Sequence, residues 1–200
     1  MWVLKIGGSW ITNPNLTTLL KTLDKKKKGK MIIVAGGGCF ADSVRFAFKK
    51  TKMSEKIANT LALKSTEIFC SYLKDINKKL YLTTNQRFRE NSLNVWLPSL
   101  ILSNEKSFKK NWNSTSDSVA AWLSTNIKAE GLVFIKSLKK FKKINKLGDL
   151  QKKNIIDKNT STYLKSFKGE IKITGLDILK ILEKNNNWDS CIKDLGDITL

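Results

Sequence analysis

The sequence predicts an α/β fold: a three-layer αβα sandwich with a mainly parallel central sheet, forming one domain over residues 1–200. Three observations predict it. Short aliphatic runs without polar alternation (Val3–Ile6, Met31–Ala35, Leu132–Lys136) read as parallel strands buried on both faces. Segments with apolar residues at helical spacing alternate with these runs, as βαβ units require. Consecutive glycines, Gly7-Gly8 and Gly36-Gly37-Gly38, follow the first two runs, where the backbone must turn sharply and expose its N–H groups. Such N–H groups, with a helix N-terminus behind them, form an anion site.

In chain order, Leu16, Leu19, Leu20 and Leu23 mark the first helix. Asn13 or Asn15 caps it, and Pro14 suits its first turn. The run Lys25–Lys28 is a solvated loop before strand Met31–Ala35, which completes a right-handed βαβ unit. A helix opens after the second glycine turn, near Asp42, with Val44, Phe46 and Ala47 as its buried side. Arg45 in its opening turns is placed to reach an anion at the glycines. Ser54 caps a long helix, Glu55 to Lys74. Its stripe of Ile57, Leu61, Ile68 and Tyr72, widened by Ala58, Ala62 and Phe69, is expected to face the core.

Leu80–Thr83 reads as a short strand, residues 85–91 as a polar connector carrying Arg87 and Arg89, and Asn94–Leu97 as a strand stopped by Pro98. Leu100–Leu102 continues that apolar segment. Trp112–Ser118 then gathers small hydroxyl residues and Asp117 at the mouth of an alanine-rich helix. Asp117 either favours that helix terminus or stands in an active-site turn. After Leu132–Lys136, Asp157 precedes a short helix through Leu164. Ile171–Thr174 is a strand, a helix covers Leu176–Lys184, and an edge strand is expected at Asp197–Leu200.

The chain contains no histidine, which removes Ser-His-Asp and Cys-His catalysis and leaves Lys, Arg, Asp, Glu and backbone groups for any chemistry. Three scattered cysteines give neither metal spacing nor a disulfide framework and point to a reducing, cytoplasmic setting. No leader and no membrane span are expected. The formal net charge is +20, nearly all from lysine. The lysine runs lack interleaved aromatics for stacking bases, so nucleic acid is not the expected partner.

Taken together, the motifs resemble the amino acid kinase fold family, which includes acetylglutamate, uridylate, aspartate, carbamate and isopentenyl phosphate kinases. Val3–Ser9 is similar to its opening Lys-x-Gly-Gly-Ser motif, Gly36–Gly38 to its substrate-side glycine turn, and Ser116-Asp117-Ser118 with Ala120-Ala121 to its Asp-containing helix start. Gly36–Arg45, Val95–Pro98, Trp112 with Thr115–Leu123, and Lys136-Ser137 most resemble the branch of furan-phosphate kinases in methanofuran-type cofactor synthesis.

The resemblance implies transfer of the ATP γ-phosphoryl group to a phosphate monoester, such as (5-aminomethyl-3-furyl)methyl phosphate, giving a diphosphate and ADP. Mg2+ would accompany ATP, and the protein would be a homo-oligomer. Lys5 and Asp117 would be catalytic, with Asp117 orienting Lys5. Lys5, Gly7, Gly8, Ser9 and Lys136 would hold the nucleotide. Gly36, Gly37, Gly38, Arg45, Thr115 and Ser116 would hold the acceptor, and no residue is assigned to a metal. The sequence departs from the family pattern at Leu138-Lys139-Lys140, where many relatives carry Asp-Gly, and it has no Gly-Met-x-x-Lys segment. The alternative is a nonenzymatic nucleotide- or polyanion-binding protein on the same fold.

Overall fold

A computed structural model describes residues 1–200. The chain runs β1 (Trp2–Ile6), α1 (Leu16–Lys26), β2 (Lys30–Ala35), α2 (Gly38–Lys50), α3 (Glu55–Ile76), β3 (Tyr81–Thr83), β4 (Ser92–Trp96), α4 (Ser99–Leu102), α5 (Ser116–Asn126), β5 (Gly131–Ile135), β6 (Ile144–Lys146), α6 (Leu147–Lys152), α7 (Thr160–Leu164), β7 (Glu170–Thr174), α8 (Ile178–Lys184), α9 (Trp188–Asp194) and β8 (Gly196–Thr199). A 3-10 turn over Gly8–Thr12 joins β1 to α1.

The strands form one sheet in the order β3-β4-β2-β1-β5-β7-β8-β6. All pairings are parallel except that of β7 with β8. Period-two alternation gives the sheet two buried faces. On one, Trp2, Leu4 and Ile6 pack with leucines of α1 and with Ile178, Leu182, Trp188 and Cys191 from α8 and α9. On the other, Val3, Val34 and Phe134 pack with α5, α7 and Trp96. β1 is central, with β2 and β5 on its opposite sides: the chain builds outward through β2 on one side and returns to β1's other side at β5. That switch point leaves a crevice at the carboxyl ends of the strands.

Four expectations need correction. First, α3 turns the predicted stripe outward: Ile57, Ile68 and Tyr72 are 52%, 49% and 44% exposed. Of the expected residues Ala58 and Phe69 are buried, and they are joined by Asn59, Leu63, Ser65, Thr66, Cys70 and Leu73. The helix has two apolar faces, and the buried one includes hydroxyls that need no outside partner. Ser65 Oγ donates to Leu61 O at 2.9 Å and Thr66 Oγ1 to Leu63 O at 2.7 Å. Counting hydrophobic residues at helical spacing misses such a face.

Second, α2 buries only Ala41, and Phe46 stands 66% exposed. The helix packs beside α3 at the rim and turns its small residue to the glycines. Third, Pro14 precedes α1: Asn15 is the cap position, and its N–H donates to Asn13 Oδ1 at 2.9 Å. Fourth, β8 is not an edge strand. It lies between β7 and β6, and the exposed residues of β6 carry no apolar run that would announce it. Leu100–Leu102 belongs to the helical turn α4 after Pro98.

Candidate active site

Two lysines reach one aspartate at the switch point. Lys5 on β1 pairs in register with Phe134 on β5, so Lys136, just past β5, projects from the same face as Lys5. Asp117, in the first turn of α5, lies over that face. Lys5 Nζ is 2.9 Å from Asp117 Oδ1, and Lys136 Nζ donates to Oδ1 and Oδ2 at 2.8 Å each. All three side chains are almost closed to solvent, at 5%, 12% and 6% exposure for Lys5, Lys136 and Asp117. One carboxylate between two ammoniums leaves a single uncompensated positive charge in a dry place. Burial alone would raise the Asp117 carboxyl, but Lys136 and Lys5 outweigh it and hold it at about 2. Burial pushes Lys136 down to about 8 against the attraction of Asp117, and the Lys5 charge adds to the fall.

The mouth of α5 is held by Asp157. Its Oδ2 accepts from Thr115 N, Thr115 Oγ1 and Ser118 N at 2.7, 2.8 and 2.9 Å. Its Oδ1 accepts from Ser118 Oγ at 2.5 Å and from Thr160 N and Oγ1 at 2.9 and 2.8 Å. Thr115 is the cap residue, and its hydroxyl also accepts from Asp117 N at 3.4 Å. Thr115, expected to touch the acceptor, gives its hydroxyl proton to Asp157 and lines the same cleft as Gly37 and Arg45. Ser116 lines the cleft beside Gly37 and Arg45.

The two glycine turns touch. A Cβ on Gly36 would fall 2.3 Å from Gly8 N, and one on Gly8 would fall 2.3 Å from Gly38 N. Gly38 also takes φ +52°, a conformation L side chains rarely adopt. Gly7 was expected to offer its N–H to a nucleotide phosphate, but that N–H donates to Ile135 O at 2.9 Å, which extends the sheet ladder by one residue. The Gly36 N–H is likewise taken, by Ile6 O at 2.8 Å. Gly8, Gly37 and Gly38 donate to no protein group and leave the anion-binding donors to the crevice. Ser9 Oγ lies 2.5 Å from Ser137 Oγ, linking the first turn to the segment after Lys136.

Arg45 sits two turns into α2, paired with Asp42 at 2.6 Å and 5.7 Å from the centroid of the Trp112 ring. With Gly37, Asn59 and Ser116 it lines a tight cleft beside the second turn. A cavity of about 920 Å3 lies elsewhere: Trp2, Glu130 and Glu170 place it at the opposite end of the strands, away from the three charged side chains. Arg89 stacks 3.7 Å over Tyr81 at that same opposite end and does not approach the site.

Comparison with known proteins bears on this arrangement directly. Residues 1–141 match the amino acid kinase family. The chain belongs to that family. The [5-(aminomethyl)furan-3-yl]methyl phosphate kinase of Methanocaldococcus jannaschii is 31% identical over 128 residues, 62% of this chain. The match spans 59% of that relative's length. Among solved structures, uridylate kinase from Archaeoglobus fulgidus superposes with a TM-score of 0.69 over 99% of both chains at 14% identity. An isopentenyl phosphate kinase reaches 0.61 over 92% of this chain and 95% of its own, at 13% identity. These two neighbours share the amino acid kinase fold.

Two residues at the site carried no functional signal in the sequence. Asp157, read there only as the residue before a short helix, also fixes the start of α5. Asn59 lies in the buried face of α3 that periodicity did not reveal.

Proposed function

We propose that this amino acid kinase family member transfers the γ-phosphoryl group of ATP to a phosphate monoester, with (5-aminomethyl-3-furyl)methyl phosphate as the acceptor, and releases ADP and a diphosphate. The observation that carries this reading is one buried carboxylate holding two buried ammoniums at the end of β1, where two touching glycine turns leave N–H groups free. An acceptor phosphate oxygen attacks the γ-phosphorus, the bond to the β-bridging oxygen breaks, and that oxygen leaves on ADP with the electron pair. The attacking oxygen is already anionic, so the absence of histidine removes nothing this step needs. Phosphoryl transfer asks the protein for in-line placement and charge neutralisation.

Lys5 and Lys136 supply that charge, and Asp117 fixes both ammoniums at one point. Gly8 and Ser9 face the nucleotide, while Gly37, Gly38 and Arg45 face the acceptor phosphate. Mg2+ carried by ATP would neutralise the charge of its phosphates. No group of three or more Cys, Asp or Glu side chains is placed to hold a metal ion. The free cysteines suit a cytoplasmic enzyme. No helix is long and apolar enough to cross a membrane.

The test is ADP release from Mg-ATP with and without the furan phosphate. Acceptor-dependent release is expected, with the diphosphate formed in equal amount. Binding of oligonucleotides or nucleotide without any turnover would overturn the reading in favour of a binding protein on this fold.

The Lys136 ammonium gives a pH signature. kcat/KM reports the free enzyme and is expected to fall as pH rises through about 8, as that ammonium loses its proton. Stability moves the other way. Between about 8 and the ordinary lysine value of 10.5, the unfolded chain binds a proton that the folded chain has released. The contribution of this group to stability therefore rises with pH across that window. A pH–rate profile beside thermal melts at the same pH values checks both signs.

The outward stripe of α3, with Ile57, Ile68 and Tyr72 exposed, is the surface on which we place self-association. The double change Ile68→Lys with Tyr72→Lys is expected to shift sedimentation from oligomer to monomer.

A further inference from the structure

Asn59 lies in the second turn of α3 and is 2% exposed. Its Nδ2 donates to Asn111 O at 3.1 Å and to Ser114 O at 3.4 Å. Both partners are carbonyls, which only accept, so the orientation of the amide is fixed by its surroundings. The other end of the amide is then left over. Asn59 Oδ1 is the only buried side-chain oxygen in the protein without a hydrogen bond; the other four unpartnered buried polar atoms are indole nitrogens. Buried polar groups are satisfied as a rule, and an orphaned acceptor in a wall of a cleft is a place where a donor fits.

Asn59 lines the cleft that also holds Gly37, Arg45, Trp112 and Ser116. The glycine N–H groups and the guanidinium make one end of that cleft anion-seeking. Trp112 adds a flat apolar wall, and its own Nε1 has no partner. An acceptor with its phosphate on the glycines and Arg45 presents its body to Trp112 and Asn59.

We propose that Asn59 Oδ1 is the specificity element of the acceptor cleft and accepts a hydrogen bond from an amine N–H that the acceptor carries away from its phosphate. This rests on the phosphate-kinase reading and assigns to one residue the selection for the amine of its acceptor. A site built around a hydrogen bond rejects an analogue that lacks the donor, because the protein group is then left buried and unpaired.

The experiment compares (5-aminomethyl-3-furyl)methyl phosphate with its 5-methyl counterpart, in the wild type and in Asn59→Leu and Asn59→Ala. The ratio of kcat/KM between the two acceptors is the readout, with calorimetric binding of each measured in parallel. The wild type is expected to favour the amine by a hundredfold or more, and both variants to lower that ratio below tenfold. Loss of the Asn59 tether to residues 111–114 weakens both acceptors alike and leaves the ratio unchanged, so an unchanged ratio in the variants overturns the proposal. Equal use of both acceptors by the wild type overturns it too, while phosphoryl transfer stands. Amine-selective binding that both variants lose, without turnover, supports Asn59 and overturns the kinase reading. Absence of both turnover and binding for either compound overturns both.

Discussion

Asp117→Asn is expected to lower kcat by a factor of about 10² to 10³, the range for removing one preorganised electrostatic contact from a phosphoryl- or acyl-transfer site. The change keeps shape and volume and removes only the charge. Two consequences follow from the geometry. Lys136 loses its bidentate partner at 2.8 Å and Lys5 its contact at 2.9 Å, so neither ammonium stays aimed at one point. Two like charges then share a dry space, where an uncompensated buried charge costs about 3–5 kcal/mol. Lys136 relieves that cost by releasing its proton, because its affinity is already lowered to about 8. The alkaline limb of kcat/KM therefore moves to lower pH in the variant, and the stability loss is greater at pH 6 than at pH 9. Activity within threefold of wild type, with an unmoved pH profile, would sink the assigned role of Asp117.

Gly36→Ala is expected to cost stability and activity together. Its new Cβ meets Gly8 N at 2.3 Å, Gly8 Cα at 2.7 Å and Gly7 C at 3.1 Å. All three are main-chain atoms, which cannot rotate aside as a side-chain tip would. Overpacking of this kind costs about 1–3 kcal/mol, and the strain enters where the two phosphates must be held. A loss of tenfold or more in kcat is expected beyond any change in melting temperature, since small misplacements are costly in a step that depends on alignment. Gly148→Ala is the control. Nothing lies within 4 Å of its added Cβ, and as part of α6 it should leave activity unchanged. If Gly36→Ala behaves like Gly148→Ala, the two turns are not the tight unit described above.

The sheet could be read from the sequence because its central strands are aliphatic runs without polar alternation. Apart from Lys5, the residues of Val3–Ile6, Met31–Ala35 and Leu132–Ile135 suit burial on two faces. Lys5 stood out as a charge inside such a run, and Lys136 as one at the end of another. The resemblance implied that Asp117 orients Lys5; that Lys136 joins the same carboxylate could not be read, because it depends on β1 and β5 being neighbours although more than a hundred residues separate them. Asp157 was read as the residue before a helix, but its second hold on the start of α5 joins segments about forty residues apart and could not be read. The α3 face was misread because Ser65 and Thr66 satisfy their hydroxyls on their own helix, so burial there does not follow hydropathy. Gly7 and Gly36 were assigned as phosphate donors from their position alone; the ladder takes one N–H from each turn and leaves the next residues free.

The contact between the two glycine turns has a mechanical consequence. A protein that must press two anions together can do so by closing like a hand, and the gap is then an adjustable quantity. Here the two seats are main chains in van der Waals contact, each carried on a central strand of one sheet, so the gap works as a fixed gauge. A compound with its nucleophilic oxygen one bond too far out cannot be met by a small flex of the fold. Changes in diet during evolution would then be written on the far wall of the cleft, at α3 and Trp112, where girth and polarity can vary without disturbing the gauge.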